Sequence, residues 1–300
     1  MEKIEQYLKD NRWVDVPMSE DVRRLLEEQL VSDTYYRRGD GQATKDLDLV
    51  EQTHRKWVGE IIDLSEFPYC YFVNGTTDAI HHWKIIEQRE WQKLCYGEYE
   101  YPDAIGPWGD VCCDVPGQYM GDDGRSAIPS IIDPNKPVFI SIPSSADGNF
   151  FKPKLSKDVP VLLDCTYIGS TNIQRIDIPE GTEQVFFSFS KGFGLVGQRL
   201  GLVYTKEEHP TLALLKRLEN WNYNGVKTMQ MIMNNFKVDE MWKRNREKQI
   251  KICKEYGFKP SDCFFLATTK DSKYKERRRM RWNNDARICI TPLLENETDN

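Results

Sequence analysis

Residues Val185 to Gly201 read VFFSFSKGFGLVGQRLG, and their reading decides the fold. The opening VFFSF is a short continuous apolar run of the kind that forms a strand buried on both faces. The middle, Gly192 to Gly197, reads GFGLVG and formally matches the G-x-G-x-x-G dinucleotide fingerprint. That fingerprint requires a helix directly after the glycines, because the helix N-terminus holds the pyrophosphate. Here QRLGLVYT follows, which is strand-like, and no acid stands out where the ribose partner is expected. The segment therefore reads as strand, glycine-rich bend and strand, with Lys191 at the bend.

Working outward, four more apolar runs end in turn or small residues: YCYFVNG from Tyr69, KPVFISIPSS from Lys136, VPVLLDCTY from Val159 and RLGLVYT from Arg199. Runs of this length separated by helical material suit a mostly parallel central sheet. Helical spacing is expected over Glu20 to Leu30, Leu47 to Ile62, Thr77 to Glu90, Leu212 to Trp221 and Val226 to Tyr256, and CFFLATT and ARICITP near the end read as two strands. The expectation is an α/β large domain over residues 37–222, with a small α+β domain built from both chain ends, 1–36 and 223–300.

Composition narrows the function. With 39% hydrophobic residues in 300, the chain can bury a large core, and a net charge of -6 gives no general attraction to nucleic acid or anionic membrane. The basic run from Lys273 to Arg281 (KYKERRRMR) reads as a solvated face. Eight cysteines form no C-x-x-C pair, adjacent Cys112 and Cys113 do not resemble a zinc knuckle, and four histidines leave little for a metal site. The N-terminal MEKIEQYLKDNRW has no apolar core of a signal peptide, and no apolar run approaches the roughly 20 residues of a membrane span. A cytoplasmic protein with no metal, nucleic-acid or membrane partner is expected.

Three segments carry chemistry. Lys191 sits between an apolar strand and a glycine-rich bend, where little solvates an ammonium; a lysine in such a place suits imine formation. Arg199 offers a fixed fork of donors for a phosphate dianion, with Ser188 and Ser190 adding hydroxyls. Taken alone, Lys191 reads better as an ordinary strand-end surface lysine than as an imine former. In VPVLLDCTY, Asp164 falls at the carboxyl end of a buried strand, the edge where open α/β sheets bind ligands. A carboxylate there calls for a cationic partner, and a protonated pyridine nitrogen meets that need, with Tyr167 placed to hydrogen-bond the same ring. In VNGTTDAI, Gly75 permits close backbone approach, and Thr76 and Thr77 offer hydroxyls and amides at a positive helix end, a phosphate cup or a plain helix cap.

The order NGTTDAI, SIPSSADG, LLDCTY, SFSKGFGLVGQRLG and ARICIT, spanning Tyr36 to Thr291, resembles the class I/II aminotransferases, pyridoxal 5'-phosphate enzymes of fold type I. The resemblance implies that Lys191 is the Schiff-base lysine and proton carrier, Asp164 the partner of the pyridine nitrogen, and Tyr167 the ligand of the ring oxygen. It implies phosphate contacts from Gly75, Thr76, Ser188 and Arg199, with Thr77 and Ser190 as further candidates. Tyr36 is similar to a tyrosine that reaches the neighbouring subunit's phosphate, implying a homodimer with shared sites. Tyr99, or else Tyr101, corresponds to the aromatic stacked on the ring, and Arg287 to the arginine gripping the substrate α-carboxylate. The chain departs from the family at Ser145-Ala146-Asp147-Gly148, where Asn-Pro-x-Gly is usual, so Ser145 stands in place of a longer cofactor-binding amide. Little sequence follows Arg287 to form a last helix. The resemblance implies transamination between an amino acid and a 2-oxo acid by a ping-pong cycle. The same cofactor site also serves lyases, decarboxylases and oxidases, and a non-catalytic binding module is a further alternative.

Overall fold

The computed structural model describes residues 2–10, 16–31, 41–86, 92–93, 135, 137–153, 155–277 and 285–296. The apolar runs become strands β1 (Tyr69–Val73), β3 (Val138–Ser141), β4 (Val161–Asp164), β5 (Thr182–Ser188) and β6 (Gly201–Thr205). With the two-residue β2 (Gln92–Lys93) they form one sheet in the order β1-β6-β5-β4-β3-β2. Strands β2 to β5 run parallel, whereas β6 is antiparallel to both β5 and β1. This is the mostly parallel sheet that the apolar runs suggested; which strand is reversed could not be read from them, since a buried run carries no mark of direction. The reason for the reversal is the short connection: residues 189–200 contain only a three-residue 3-10 turn and no α-helix to carry the chain back across the sheet, as a parallel crossover needs.

Every residue of β3 and β4 is buried, and alternation sends successive side chains to opposite faces. Val138, Ile140, Val161, Leu163, Val185 and Phe187 enter the main core. Phe139, Leu162, Phe186 and Val203 pack on the other face against Ala79, Ile80 and Trp83. Those last three belong to α4 (Thr76–Ile86), so the helix that follows β1 is fixed to the sheet by its own apolar stripe.

The remaining helices are α1 (Glu2–Asp10), α2 (Glu20–Val31), α3 (Gln42–Trp57), α5 (Pro210–Arg217), α6 (Tyr223–Asn235), α7 (Glu240–Tyr256) and α8 (Thr291–Asn296). The stretch expected as one helix from Val226 to Tyr256 is two, because Phe236 turns extended and buries its ring together with Val238. Helix α3 begins and ends about five residues before the expected bounds, and α4 ends at Ile86 where the description stops. A short last helix does follow Arg287: α8 buries Leu293 and Leu294.

CFFLATT and ARICITP contribute β8 (Leu266–Thr269) and β9 (Ala286–Cys289), which pair antiparallel in a second sheet with β7 (Lys259–Pro260). This sheet is pinned to the loop after β3. Cys263 N–H donates to Gly148 O at 2.9 Å, Asp262 N–H to Asn149 Oδ1 at 2.9 Å, and Phe150 N–H to Asp262 Oδ2 at 2.8 Å. Among the described residues no helix is long and apolar enough to cross a membrane.

Candidate active site

Register places the functional segments at one edge of the main sheet. Ser141 pairs with Asp164, while Gly201 is flanked by Ser188 on one side and Val73 on the other. The carboxyl ends of β1, β3, β4 and β5 thus meet where α/β sheets bind ligands. A cavity of about 210 Å³ opens there, lined by Thr76, Thr77, Ser141, Pro143, Ser145, Asp164, Thr166, Tyr167, Ser188, Ser190, Lys191 and Arg199. Lys191 and Asp164, 27 positions apart in sequence, face the same space.

Asp164 is buried, and loss of water pushes its carboxyl up to about 6. Hydrogen bonds oppose that rise: Oδ1 accepts from the Thr166 hydroxyl at 2.5 Å and the Thr166 amide at 3.0 Å, and Oδ2 from the Ser141 hydroxyl at 3.3 Å. Tyr167 is buried edge-to-face against Phe265, 5.7 Å between centroids. Burial raises its phenol, and the positive charge of Arg287 works against the rise.

The opposite end of the cavity gathers donors. Arg199 lies against Gly75, whose φ of +80° leaves no Cβ in the way. Arg199 itself is left-handed, φ 53°, a conformation that costs a side-chain-bearing residue on the order of 1–2 kcal/mol. Ser188 Oγ accepts from the Ser190 amide at 3.2 Å and donates to Leu200 O at 3.4 Å. The Ser190 hydroxyl is buried at 2% exposure with no hydrogen-bond partner, a cost unless something in the cavity meets it. Lys191 is half-buried and Arg199 exposed, so the lysine is less enclosed than its apolar flanks suggested. The glycine-rich bend leads into a three-residue 3-10 turn and then β6, with no helix to receive a pyrophosphate.

Arg287, half-buried on β9, donates from Nη1 to the carbonyl of Ser145, a residue of the cavity lining, at 2.5 Å. Tyr36, Tyr99 and Tyr101 lie outside the described residues. Sequence reasoning passed over Thr166 and Ser141. The signal for Ser141 was its place at the end of a buried strand beside that of Asp164. Thr166 lies inside the quoted LLDCTY, but its contact with Thr76 spans 90 positions and leaves no local pattern.

No protein-family model matches the chain. It is similar to a histidinol-phosphate aminotransferase of Staphylococcus epidermidis, 26% identical over 141 residues that cover 42% of this chain and 37% of that protein. The chain thus aligns to little more than a third of this curated relative's length. Among solved structures it is similar to a probable N-succinyldiaminopimelate aminotransferase of Thermus thermophilus, with TM-score 0.65, 16% identity, and 94% and 90% of the two chains covered. A histidinol-phosphate aminotransferase of Sinorhizobium meliloti, solved in complex with pyridoxal 5'-phosphate, gives TM-score 0.63 at 13% identity over 93% and 87%. A mostly parallel sheet with a cavity at its strand ends, matched over nearly the whole chain, settles the architecture: the chain has the aspartate-aminotransferase fold, fold type I of the pyridoxal-phosphate-dependent enzymes.

Proposed function

We propose that the chain binds pyridoxal 5'-phosphate in this cavity and transfers an amino group from an amino acid to a 2-oxo acid by a ping-pong cycle. The observation that carries the reading is Lys191 and Asp164 lining one 210 Å³ space, with a donor cluster beside them. The residues fit the group. The orphaned Ser190 hydroxyl, Ser188, the Arg199 guanidinium packed on Gly75, and the first turn of α4 at Thr76 and Thr77 suit a phosphate dianion. Asp164 would hold a ring N–H and gain the cationic partner that its burial calls for. Tyr167 suits the ring oxygen, and Lys191 would hold the aldehyde carbon covalently through Nζ.

Bound there, the cofactor supplies a carbonyl carbon for imine exchange and a protonated ring that draws the electron pair from a bond at the substrate α-carbon. Lys191 Nζ then serves as the base that accepts the proton leaving that carbon. Arg287 keeps four further N–H donors beside the one given to Ser145 O, enough to grip an α-carboxylate. Retaining the carboxylate favours breaking the Cα–H bond. Ser145 contributes its backbone carbonyl as the anchor of Arg287, so the arginine is oriented without the usual asparagine amide. We assign Tyr36 of a second copy to the phosphate, which makes the working unit a homodimer, and Tyr99 to the ring face. The large domain over residues 37–222, the small domain and a cytoplasmic setting belong to the same proposal.

The test is to add pyridoxal phosphate to the purified chain and follow the near-visible band that borohydride fixes, then to challenge it with a panel of amino acids. A keto acid and the amine form of the cofactor are the expected products. Release of ammonia or carbon dioxide would transfer the assignment to a lyase or decarboxylase. Lys191→Ala should fold, lack the fixable band and lose turnover by at least about 10³-fold; a variant that still turns over at wild-type rate sinks the mechanism.

A further inference from the structure

Two threonines connect the ends of the cavity. Thr166 Oγ1 lies 2.5 Å from Asp164 Oδ1, and Thr76 Oγ1, on the first turn of α4, lies 2.6 Å from Thr166 Oγ1. A hydroxyl carries a single proton, and an ionised carboxylate can only accept. The Thr166 proton is therefore committed to Asp164, and the proton between the two hydroxyls must come from Thr76. This orders the chain as Thr76 to Thr166 to Asp164. It leaves the Thr76 amide, rather than its hydroxyl, as that residue's donor toward an anion.

We propose that Thr166 is a positioning residue: its hydroxyl, held in the donor orientation by Thr76, fixes the Asp164 carboxylate as an anion in one rotamer and keeps it in register with the first turn of α4. The inference rests on the proposed function only for what Asp164 faces when the cavity is filled. The other hydrogen-bond partner of the carboxylate is Ser141 on β3. The titratable groups around it are Cys165 and Tyr167 on its own segment, with Lys191 and Arg199 in the wall of the same cavity. The hydroxyl of Thr166 hydrogen-bonds to both Asp164 and the first turn of α4. It spans the phosphate end and the nitrogen end of the site, so it would set two anchors of one rigid ring at a fixed spacing.

The test uses Thr166→Val, which keeps shape and the backbone N–H but removes the hydroxyl, and Thr166→Ser, which restores it. In cofactor-free protein with carboxyl-labelled aspartate, the Asp164 signal is identified by its loss in Asp164→Asn. Thr166→Val is expected to raise its titration midpoint by about one unit, and Thr166→Ser to leave it within about 0.3. In the loaded protein, Thr166→Val should weaken pyridoxal phosphate about tenfold, yet leave the analogue with a ring C–H in place of nitrogen within about twofold. Thr76→Val, removing the upstream donor, should shift the midpoint in the same direction by less. An unmoved midpoint in both valine variants, or equal weakening of the two cofactors, overturns the proposal. A wild-type chain that binds neither cofactor sinks the proposed function instead, and the Asp164 midpoint still decides the role of Thr166.

Discussion

Gly75 and Arg199 meet so closely that a Cβ on the glycine would stand 2.9 Å from the guanidinium Nη2 and 3.2 Å from Cζ. Both residues have positive φ, 80° and 53°, so two left-handed turns from different loops face each other across the donor end of the cavity. Gly75→Ala adds backbone strain of about 1–2 kcal/mol and pushes a flexible side chain aside instead of colliding with backbone. The expected result is a lower denaturation midpoint and roughly tenfold weaker uptake of pyridoxal phosphate, since one charge-assisted contact is displaced. A cofactor titration beside a urea melt reads both; an alanine variant matching wild type in each would show that the contact is unimportant.

Asp164 makes the cofactor-free protein pH-dependent. Its folded pKa, about 6, lies above the ordinary carboxylate value, so the native state holds a proton that the unfolded chain has lost between pH 4 and 6. Its contribution to stability therefore falls as pH rises through that window, and stays lower by on the order of 2–3 kcal/mol above it. Asp164→Asn escapes this cost. The variant should be more stable than wild type at pH 7.5 without cofactor, with the advantage vanishing near pH 4, while it binds the cofactor more weakly. Parallel stability curves across pH would contradict the burial argument.

His54 gives the opposite sign. It is buried among Phe187, Phe189 and Trp57, with Nδ1 2.9 Å from the Tyr204 hydroxyl, and burial lowers its pKa to about 3. The unfolded chain takes up a proton that the native state refuses, so stability is present above about pH 6.5 and is lost on acidification at on the order of 1.4 kcal/mol per pH unit. His54→Gln keeps a polar partner for Tyr204 and removes the titration. Thermal melts between pH 4 and 7 should show a shallower acid slope in the variant; identical slopes would place the acid sensitivity elsewhere.

Much of the architecture is legible because burial on both faces writes itself as continuous apolar runs. YCYFV, VFIS, VLLD and GLVYT are strands almost to the residue, and Ser141 and Asp164, which end two of them, line the cavity. Direction is not written there, since alternation is the same along and against the sheet; hence the reversal of β6 is a property of the connection. The helix break at Phe236 was equally hidden, because an apolar residue that caps a helix by packing looks like one that continues it. At the site, residues of unusual chemistry such as Lys191 and Asp164 stand out singly. Thr166 matters only through a partner 90 positions away, and hydroxyls are common enough in loops to pass unnoticed.

The reversal of β6 has a consequence for how the site can vary. Gly201 pairs with Ser188, so everything between them is a loop of fixed span whose two ends are held opposite each other on neighbouring strands of the sheet. Lys191 and Arg199 are carried on that one loop, as a single cassette. Lengthening or shortening it by a residue would move amine and guanidinium together, whereas Asp164, on its own strand, would stay behind. Variation that preserves the distance from lysine to acid must therefore enter by substitution, and grafting the loop whole onto a related scaffold should carry both groups in working order.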